Sequence, residues 1–374
     1  MKWRYRLQAA SHRILGLHES CGLGFPDSLI ESVEAYVMQT DDGSHMLTLR
    51  EPYSFECETG DVDHPEIRAE FEKQHRITIP AFQLACLENV TLRSRDAYLL
   101  SPGRRAVFLA SARSLEKFRK DAARDAFRRR PTRALRGRYF LGFDRWGYNY
   151  YYHWMVETLS RFLALDNVPE DVKIVLPRRT QPYMLRSLEL FGGVSPDRYV
   201  YCDGEDWELE ECWFPTKPYG WFLPSRREVV EVSRRILGNF RGSSRGLGAE
   251  RLYVSRGRCA SRRLANEEEI SRFLESRGFV TWYPEEDSLD QQIATCQDAR
   301  VIVSSFGSAM ANLMFCKPGA DVIILYDETY FDPCNWVLGA CFDHRMRGVS
   351  YGPRRPLSVE ALARQLPSPD QHSR

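Results

Sequence analysis

The sequence predicts an α/β protein of two Rossmann-like lobes with an interlobe cleft, preceded by an irregular, β-containing N-terminal region. Three observations predict it. Short apolar runs alternate with helical patterns twice, from residue 139 and again from residue 252, as βαβ units with parallel sheets do. The runs at 301–304 and 322–326 are apolar throughout, as in strands covered on both faces. Between the two sets, Pro215-Thr216-Lys217-Pro218-Tyr219-Gly220-Trp221 breaks regular structure and reads as a hinge. A chain of 374 residues is long for one domain and suits two.

The N-terminal region, 1–138, has β-like runs at 35–38, 77–79 and 98–100. Residues 113–138 read as a basic helix and then a basic loop, the helix ending ahead of Pro131. A solvated face is the plain reading; a patch for phosphates or anionic lipid is the alternative. The first lobe, 139–215, is completed by part of the N-terminal region. It takes strands at 139–143, 173–176, 198–201 and 212–214. Its first helix, 150–165, places Met155, Leu159, Phe162 and Leu163 at i, i+4, i+7 and i+8. Its second, 183–191, stops at Gly192-Gly193. Residues 216–250 hold the hinge, a linking helix at 228–240 and a Gly/Ser/Arg loop. The second lobe, 251–345, alternates strands at 252–255, 280–283, 301–304 and 322–326 with helices at 267–277, 287–296 and 308–315. Residues 346–374 carry a short helix near 358–365 and a polar, Pro-rich, flexible tail.

Composition narrows the function. There are 52 basic and 51 acidic side chains, a balance that argues against a dedicated nucleic-acid binder. The ten cysteines form no C-x-x-C pair and no Cys/His cluster of zinc spacing. They are expected to be buried, reduced hydrophobes, which implies a reducing compartment and a cytoplasmic location. The charged N-terminus has no apolar segment behind it, so no signal peptide is expected. No window approaches the ~18–20 apolar residues of a membrane span, so membrane association would be peripheral. Asp61-Val62-Asp63 is an acidic triplet, but no apolar strand precedes it, and no metal site is expected.

Three segments can carry chemistry. In Asn149-Tyr150-Tyr151-Tyr152-His153-Trp154-Met155-Val156-Glu157, His153, Glu157 and the later Arg161 share one helix face beside aromatic side chains. A carboxylate there can take a proton from a sugar hydroxyl, although spacing alone favours a solvated face with an i,i+4 salt bridge. The second segment, Leu252 to Arg256, ends a strand in Ser255 and Arg256, with Arg262, Arg263, Asn266 and Glu267 following. Arginines at that sheet edge can neutralise a diphosphate; Asn266 with Glu269 also reads as a helix cap. In the third, a buried strand runs through Ser305 and Phe306 into Gly307 and Ser308, with Asn312 downstream. Backbone N–H groups at that helix start can hold an anion, but neither dinucleotide nor P-loop spacing is met.

In this order and spacing the three segments resemble glycosyltransferase family 61, the capsular polysaccharide biosynthesis proteins. The family pattern N-Y-Y-H-W-x-x-[DE] falls on Asn149 to Glu157. Y-[IV]-S-R with R-x-x-x-N-E falls on Tyr253 to Arg256 and on Arg262/Arg263 through Asn266 and Glu267, and H-G-[AS]-x-x-x-N on Gly307 to Asn312. The resemblance implies a GT-B-like fold with an acceptor-side first lobe and a donor-side second lobe. It implies an inverting enzyme that needs no cofactor and uses a nucleotide sugar, UDP-linked, as co-substrate and a glycan as acceptor. Glu157 is then the candidate base with His153 beside it. Arg256, Arg262, Arg263, Ser305, Gly307, Ser308 and Asn312 fall on the donor side; Asn149, Tyr152, Trp154, Asn266 and Glu267 shape the substrate. Peripheral contact with membrane-bound assembly machinery at the inner membrane face, and no nucleic-acid partner, are the expected associations. Phe306 stands where the family has histidine, and Ile324 where it has a glutamate; both are expected near the donor. They motivate the alternative, a non-catalytic nucleotide- or glycan-binding relative. A third reading, an adaptor for membranes or nucleic acid, rests on the basic segment 113–138.

Overall fold

The computed structural model describes residues 28–368 apart from 59, 74, 96, 105, 109–131, 219–222, 243–244, 260–262, 331 and 353–354. The chain is mixed α/β with parallel sheets. The second sheet has six parallel strands in the order Val280–Trp282, Arg251–Val254, Val301–Ser305, Asp321–Asp327, Arg345–Tyr351 and Asp61–Val62. Counting from Arg251–Val254, the first five run 2-1-3-4-5. The order therefore reverses between Arg251–Val254 and Val301–Ser305, and ligands of such sheets sit at the carboxyl ends of the strands flanking the reversal.

The first sheet has nine strands. On one side Thr132–Phe140, Lys173–Leu176 and Tyr199–Tyr201 are parallel neighbours in sequence order. On the other side Thr132–Phe140 pairs in parallel with the later strand Asp206–Pro215. A second reversal point thus lies beyond Phe140 and Pro215. Past Asp206–Pro215 the sheet turns antiparallel through Phe82–Arg93, which pairs with both His45–Arg50 and Tyr98–Leu100. One hydrophobic cluster runs through both sheets, with Phe140 and Ile324 in it, and a second one, including Tyr253, Val303 and Ile323, packs against the second sheet.

Several expectations need correction. Residues 35–38 lie in the helix Val33–Gln39, opened by the Ser32 hydroxyl, which accepts from the Ala35 N–H at 3.1 Å. The end of the basic segment, 132–138, is strand, because alternate residues of Thr132–Phe140 ladder with Asp206–Pro215 on one side; the expected basic helix lies outside the described residues. The element after Gly307, Ser308–Phe315, is a 3₁₀-helix. Arg345–Tyr351, past the expected end of the second lobe, is a buried strand of the second sheet. The described part of the expected hinge is anchored: the Thr216 N–H donates to Gln83 at 2.8 Å, and Lys217 reaches Asp144. Residues 219–221 of that segment lie outside the described residues.

The reversal point of the first sheet is held by buried charge. Asp144 follows the strand Thr132–Phe140 and caps the short helix Arg145–Asn149, accepting from the N–H groups of Trp146 (2.9 Å) and Gly147 (3.1 Å). Its second oxygen lies 2.9 Å from Nζ of Lys217, just beyond Pro215. Arg161, fully buried, donates through Nε (3.1 Å) and Nη2 (2.6 Å) to the Pro215 carbonyl. Burial by itself would raise the Asp144 carboxyl, but Lys217, Arg161 and the Gly147 N–H outweigh it and hold the carboxyl well below the usual range.

Removing one partner of such a buried pair leaves uncompensated charge. Asp144→Ala should therefore lower unfolding free energy by about 3–5 kcal/mol, read from the urea midpoint. In the wild-type chain the folded pKa lies below the unfolded value of about 3.9. This stabilisation is thus complete above that pH and lost progressively as pH falls from it through the lower folded pKa. The variant's acid-unfolding curve should be flatter there; an equal slope would show that the carboxylate is not the group protonated.

Candidate active site

After Tyr150, which is extended, the chain re-enters helix and widens into a π-turn over His153–Thr158 before the α-turn Leu159–Phe162. The Leu159 N–H reaches back to the Trp154 carbonyl, five residues away. Such π-turns are frequent at functional positions. Gly147 permits this one, because a Cβ there would overlap the Thr158 hydroxyl. Nδ1 of His153 lies 2.8 Å from Oε1 of Glu157, close enough for an ion pair but without hydrogen-bond alignment. Glu157 is 3 % exposed. Trp146, Tyr150 and Tyr152 each place their ring centroid within 6 Å of the His153 imidazole.

These residues form one wall of a cavity of about 320 Å³. Phe306, Gly307 and Ser308, leaving the strand Val301–Ser305 at its carboxyl end, form the facing wall. Tyr330, Asp332, Cys334 and Asn335 complete it. The Phe306 and Tyr330 rings meet at 5.6 Å, and Asn335 fixes the turn by donating to the Gly307 carbonyl at 3.3 Å. Residues that follow the reversal points of the two sheets therefore line one cavity together.

A second cavity, about 550 Å³ and mostly apolar, adjoins the first at Ser308. Its lining includes Arg256, Tyr151, Tyr183, Pro284 and Gln292. Arg256 leaves the strand Arg251–Val254, on the other side of the second sheet's reversal point, and its guanidinium lies over Gly307. Gly307 is extended (φ 172°), a conformation open to any residue. Space, not backbone freedom, demands glycine, since a Cβ would run into the Arg256 guanidinium. Across the same cavity Arg186 forms a two-pronged bridge to Asp290, both contacts 2.8 Å, linking the helices Pro182–Phe191 and Leu289–Asp298.

The structure thus gathers His153, Glu157, Tyr152, Gly307 and Ser308 around one cavity and Arg256 around its neighbour. Other expected positions lie elsewhere. Trp154 is fully buried, and its indole donates to Ser187 at 2.8 Å; it packs the core and lines neither cavity. Arg161 belongs to the buried charge cluster, not to a face shared with Glu157, because the widened turn changes the helix phase. Asn149 is exposed and bonds the Arg145 carbonyl at 2.6 Å. Asn312 is buried between Tyr151 (2.6 Å) and Gln292 (2.8 Å), where it bridges helices. Ser305 is buried and lines neither cavity. Arg263 is exposed and donates to the Cys259 carbonyl; Arg262 lies outside the described residues. Asn266 does not cap through its oxygen; its Nδ2 donates to Glu269 and to the Leu357 carbonyl. Glu267 accepts from Tyr253 at 2.8 Å and from Ser255, bracing the turn that carries Arg256. Ile324 is fully buried mid-strand and lines neither cavity.

Five lining residues escaped sequence reading: Trp146, Tyr330, Asp332, Cys334 and Asn335. The available signal was topological, since Tyr330 to Asn335 follow the carboxyl end of a parallel strand, Asp321–Asp327. Among the described residues, Cys86, Glu88 and Glu211 bring possible ligand atoms within 4.8 Å of one another, but Glu211 is already engaged by Arg138 and the Trp213 indole. In the acidic triplet, Asp61 pairs with Arg68 and Asp63 accepts from the Ser350 N–H, both remote from the cavity lining. No helix among the described residues is long and apolar enough to cross a membrane.

No curated protein matches the chain. Residues 151–323 match the family model described as Glycosyltransferase 61. That span begins at Tyr151, runs through Glu157, Arg256 and Gly307, and ends within the strand Asp321–Asp327. The region that carries Glu157, Arg256 and Gly307 is therefore similar to glycosyltransferase family 61.

Proposed function

We propose that the chain is a metal-independent, inverting glycosyltransferase of GT-B-like architecture that moves a sugar from a nucleotide-sugar donor, UDP-linked, to a hydroxyl of a glycan acceptor. One observation carries this reading: Glu157 and the turn at Gly307 and Ser308 line the same cavity from opposite sheets, with Arg256 over that turn. A base and a cation separated by one small residue suit a displacement at the carbon between them.

In this mechanism Glu157 accepts the proton of the acceptor hydroxyl as its oxygen bonds to the anomeric carbon. The bond from that carbon to the diphosphate oxygen breaks on the opposite face, and its electron pair leaves with the nucleotide diphosphate. Arg256 balances the charge that develops there, aided by the Ser308 hydroxyl and backbone. His153 holds the Glu157 carboxylate from the ring side, while Trp146 and Tyr150 offer faces on which a pyranose can stack. The apolar second cavity suits the nucleoside. Cytoplasmic placement belongs to this reading, because nucleotide sugars are made there.

Two substitutions test the assignment. Glu157→Gln keeps the side chain's shape, so transfer should fall at least about 10²-fold while donor affinity by titration stays near that of the wild type. Parallel loss of both would assign Glu157 to structure. Gly307→Ala displaces Arg256, so donor kcat/KM should fall about 10²-fold with Tm little changed. A donor response identical to wild type would remove Arg256 from the leaving-group role. A thermal-shift screen with UDP- and GDP-sugars fixes the nucleotide. Stabilisation without hydrolysis or transfer would favour the binding-only relative that Phe306 motivates.

A further inference from the structure

The cavity around Glu157 holds two carboxylates and, besides His153, no basic side chain among the described residues. Glu157 and Asp332 both line it, and no lysine or arginine does among the described residues. Trp146, Tyr150, Phe306 and Tyr330 add aromatic rings to the lining, beside His153, Ser308 and Asn335. The Arg256 guanidinium lies toward the adjoining cavity, over Gly307. The two carboxylates act on common neighbours. Burial pushes the Tyr152 phenol and the Cys334 thiol up, and the charges of both Asp332 and Glu157 push each further.

Asp332 has a structural use, since its Oδ1 accepts from the Cys334 N–H at 2.9 Å at the start of the helix Cys334–Cys341. That use does not require charge, because asparagine caps as well as aspartate. The negative charge is surplus to the cap and faces a space lined in part by aromatic rings. Carboxylates with ring faces attract an ammonium and repel an anion.

We propose that Asp332 is a specificity-determining residue that makes this subsite select an acceptor sugar bearing a protonated amine over a neutral one, and reject a carboxylate-bearing one. The inference rests on the cavity being the acceptor side of the proposed transferase. Glu157 then serves the reacting hydroxyl and Asp332 the neighbouring amine, so the second carboxylate does not compete for the same proton.

The test uses the full chain and three probes of one shape: methyl glucosaminide with its amine protonated, methyl glucoside and methyl glucuronide, titrated calorimetrically. Affinity should fall in that order, with about tenfold between the first and second (about 1.4 kcal/mol) and the third weakest. Asp332→Asn should collapse the spread between amine and neutral probe to about twofold or less, leaving the affinity for methyl glucoside and the Tm unchanged. Asp332→Ala, which also removes the cap, should lower Tm, separating the structural role from the charge. The proposal fails if the glucuronide binds as well as the amine, if the spread survives Asp332→Asn, or if none of the three binds at millimolar concentration. Because binding needs no turnover, the expected order with no transfer from any nucleotide sugar would sink the enzymatic reading alone.

Discussion

The buried carboxylate of Asp144 is the constraint on which the site's geometry depends. It satisfies the N–H groups that open the helix Arg145–Asn149 and meets Lys217 from the far strand of the reversal point. Arg161 closes the arrangement from behind by holding the Pro215 carbonyl. Two strand ends and the site helix are thereby locked to one another where a parallel sheet is open. A hydrophobic contact could pack there but could not fix direction. Directional bonds to one carboxylate set where the following helix starts, and so where Glu157 points. Such buried charge is costly in isolation, and its retention here fits a demand for one arrangement over several.

The second sheet was the more legible half. Continuous apolar strands announce a parallel sheet covered on both faces, and all four strands read from 252 onward coincide closely with those observed. The first sheet was harder because its long members do not look like central strands. Phe82–Arg93 contains Glu88, Asn89 and Thr91, and Asp206–Pro215 contains four acidic residues. Their register is set by pairing across the sheet, which no local window carries. Thr132–Phe140 is rich in arginine for a similar reason: its side chains meet Asp203, Glu210 and Asp171 on neighbouring elements, as the pairs of Arg133, Arg136 and Arg138 show.

At the site, residue type was more legible than residue role. The helix carrying His153 and Glu157 could be found by pattern, and the two side chains are adjacent as the i,i+4 spacing requires. The spacing could not foresee the π-turn, whose cause is a packing event: Gly147 lets Thr158 approach. One widened turn sends Arg161 into the core instead of beside Glu157. Trp154 shows the complementary error, because an aromatic residue in a polar stretch reads as a platform until Ser187 supplies its indole with a buried acceptor. The missed Asp332 lies in a connection whose sequence resembles any turn, and Asn335 in the first turn of the helix Cys334–Cys341; only the strand order brings them to the cavity.

The separation of charge across Gly307 gives these details a common logic. A carboxylate that must accept a proton is best left without a permanent cation, since a close guanidinium would lower its basicity. A leaving diphosphate needs that cation nearby. The structure meets both demands by distributing the groups over two cavities that share Ser308, next to Gly307, where a Cβ would run into Arg256. Histidine, neutral or protonated, is the only basic side chain among the described residues lining the Glu157 side. Phe306 extends the division: where a histidine would add a donor beside the turn, it adds only an aromatic face, packed on Tyr330. Under the proposed function, phosphate recognition then falls more heavily on Arg256, whose position depends on Gly307 having no side chain and on Glu267 bracing the turn through Tyr253 and Ser255.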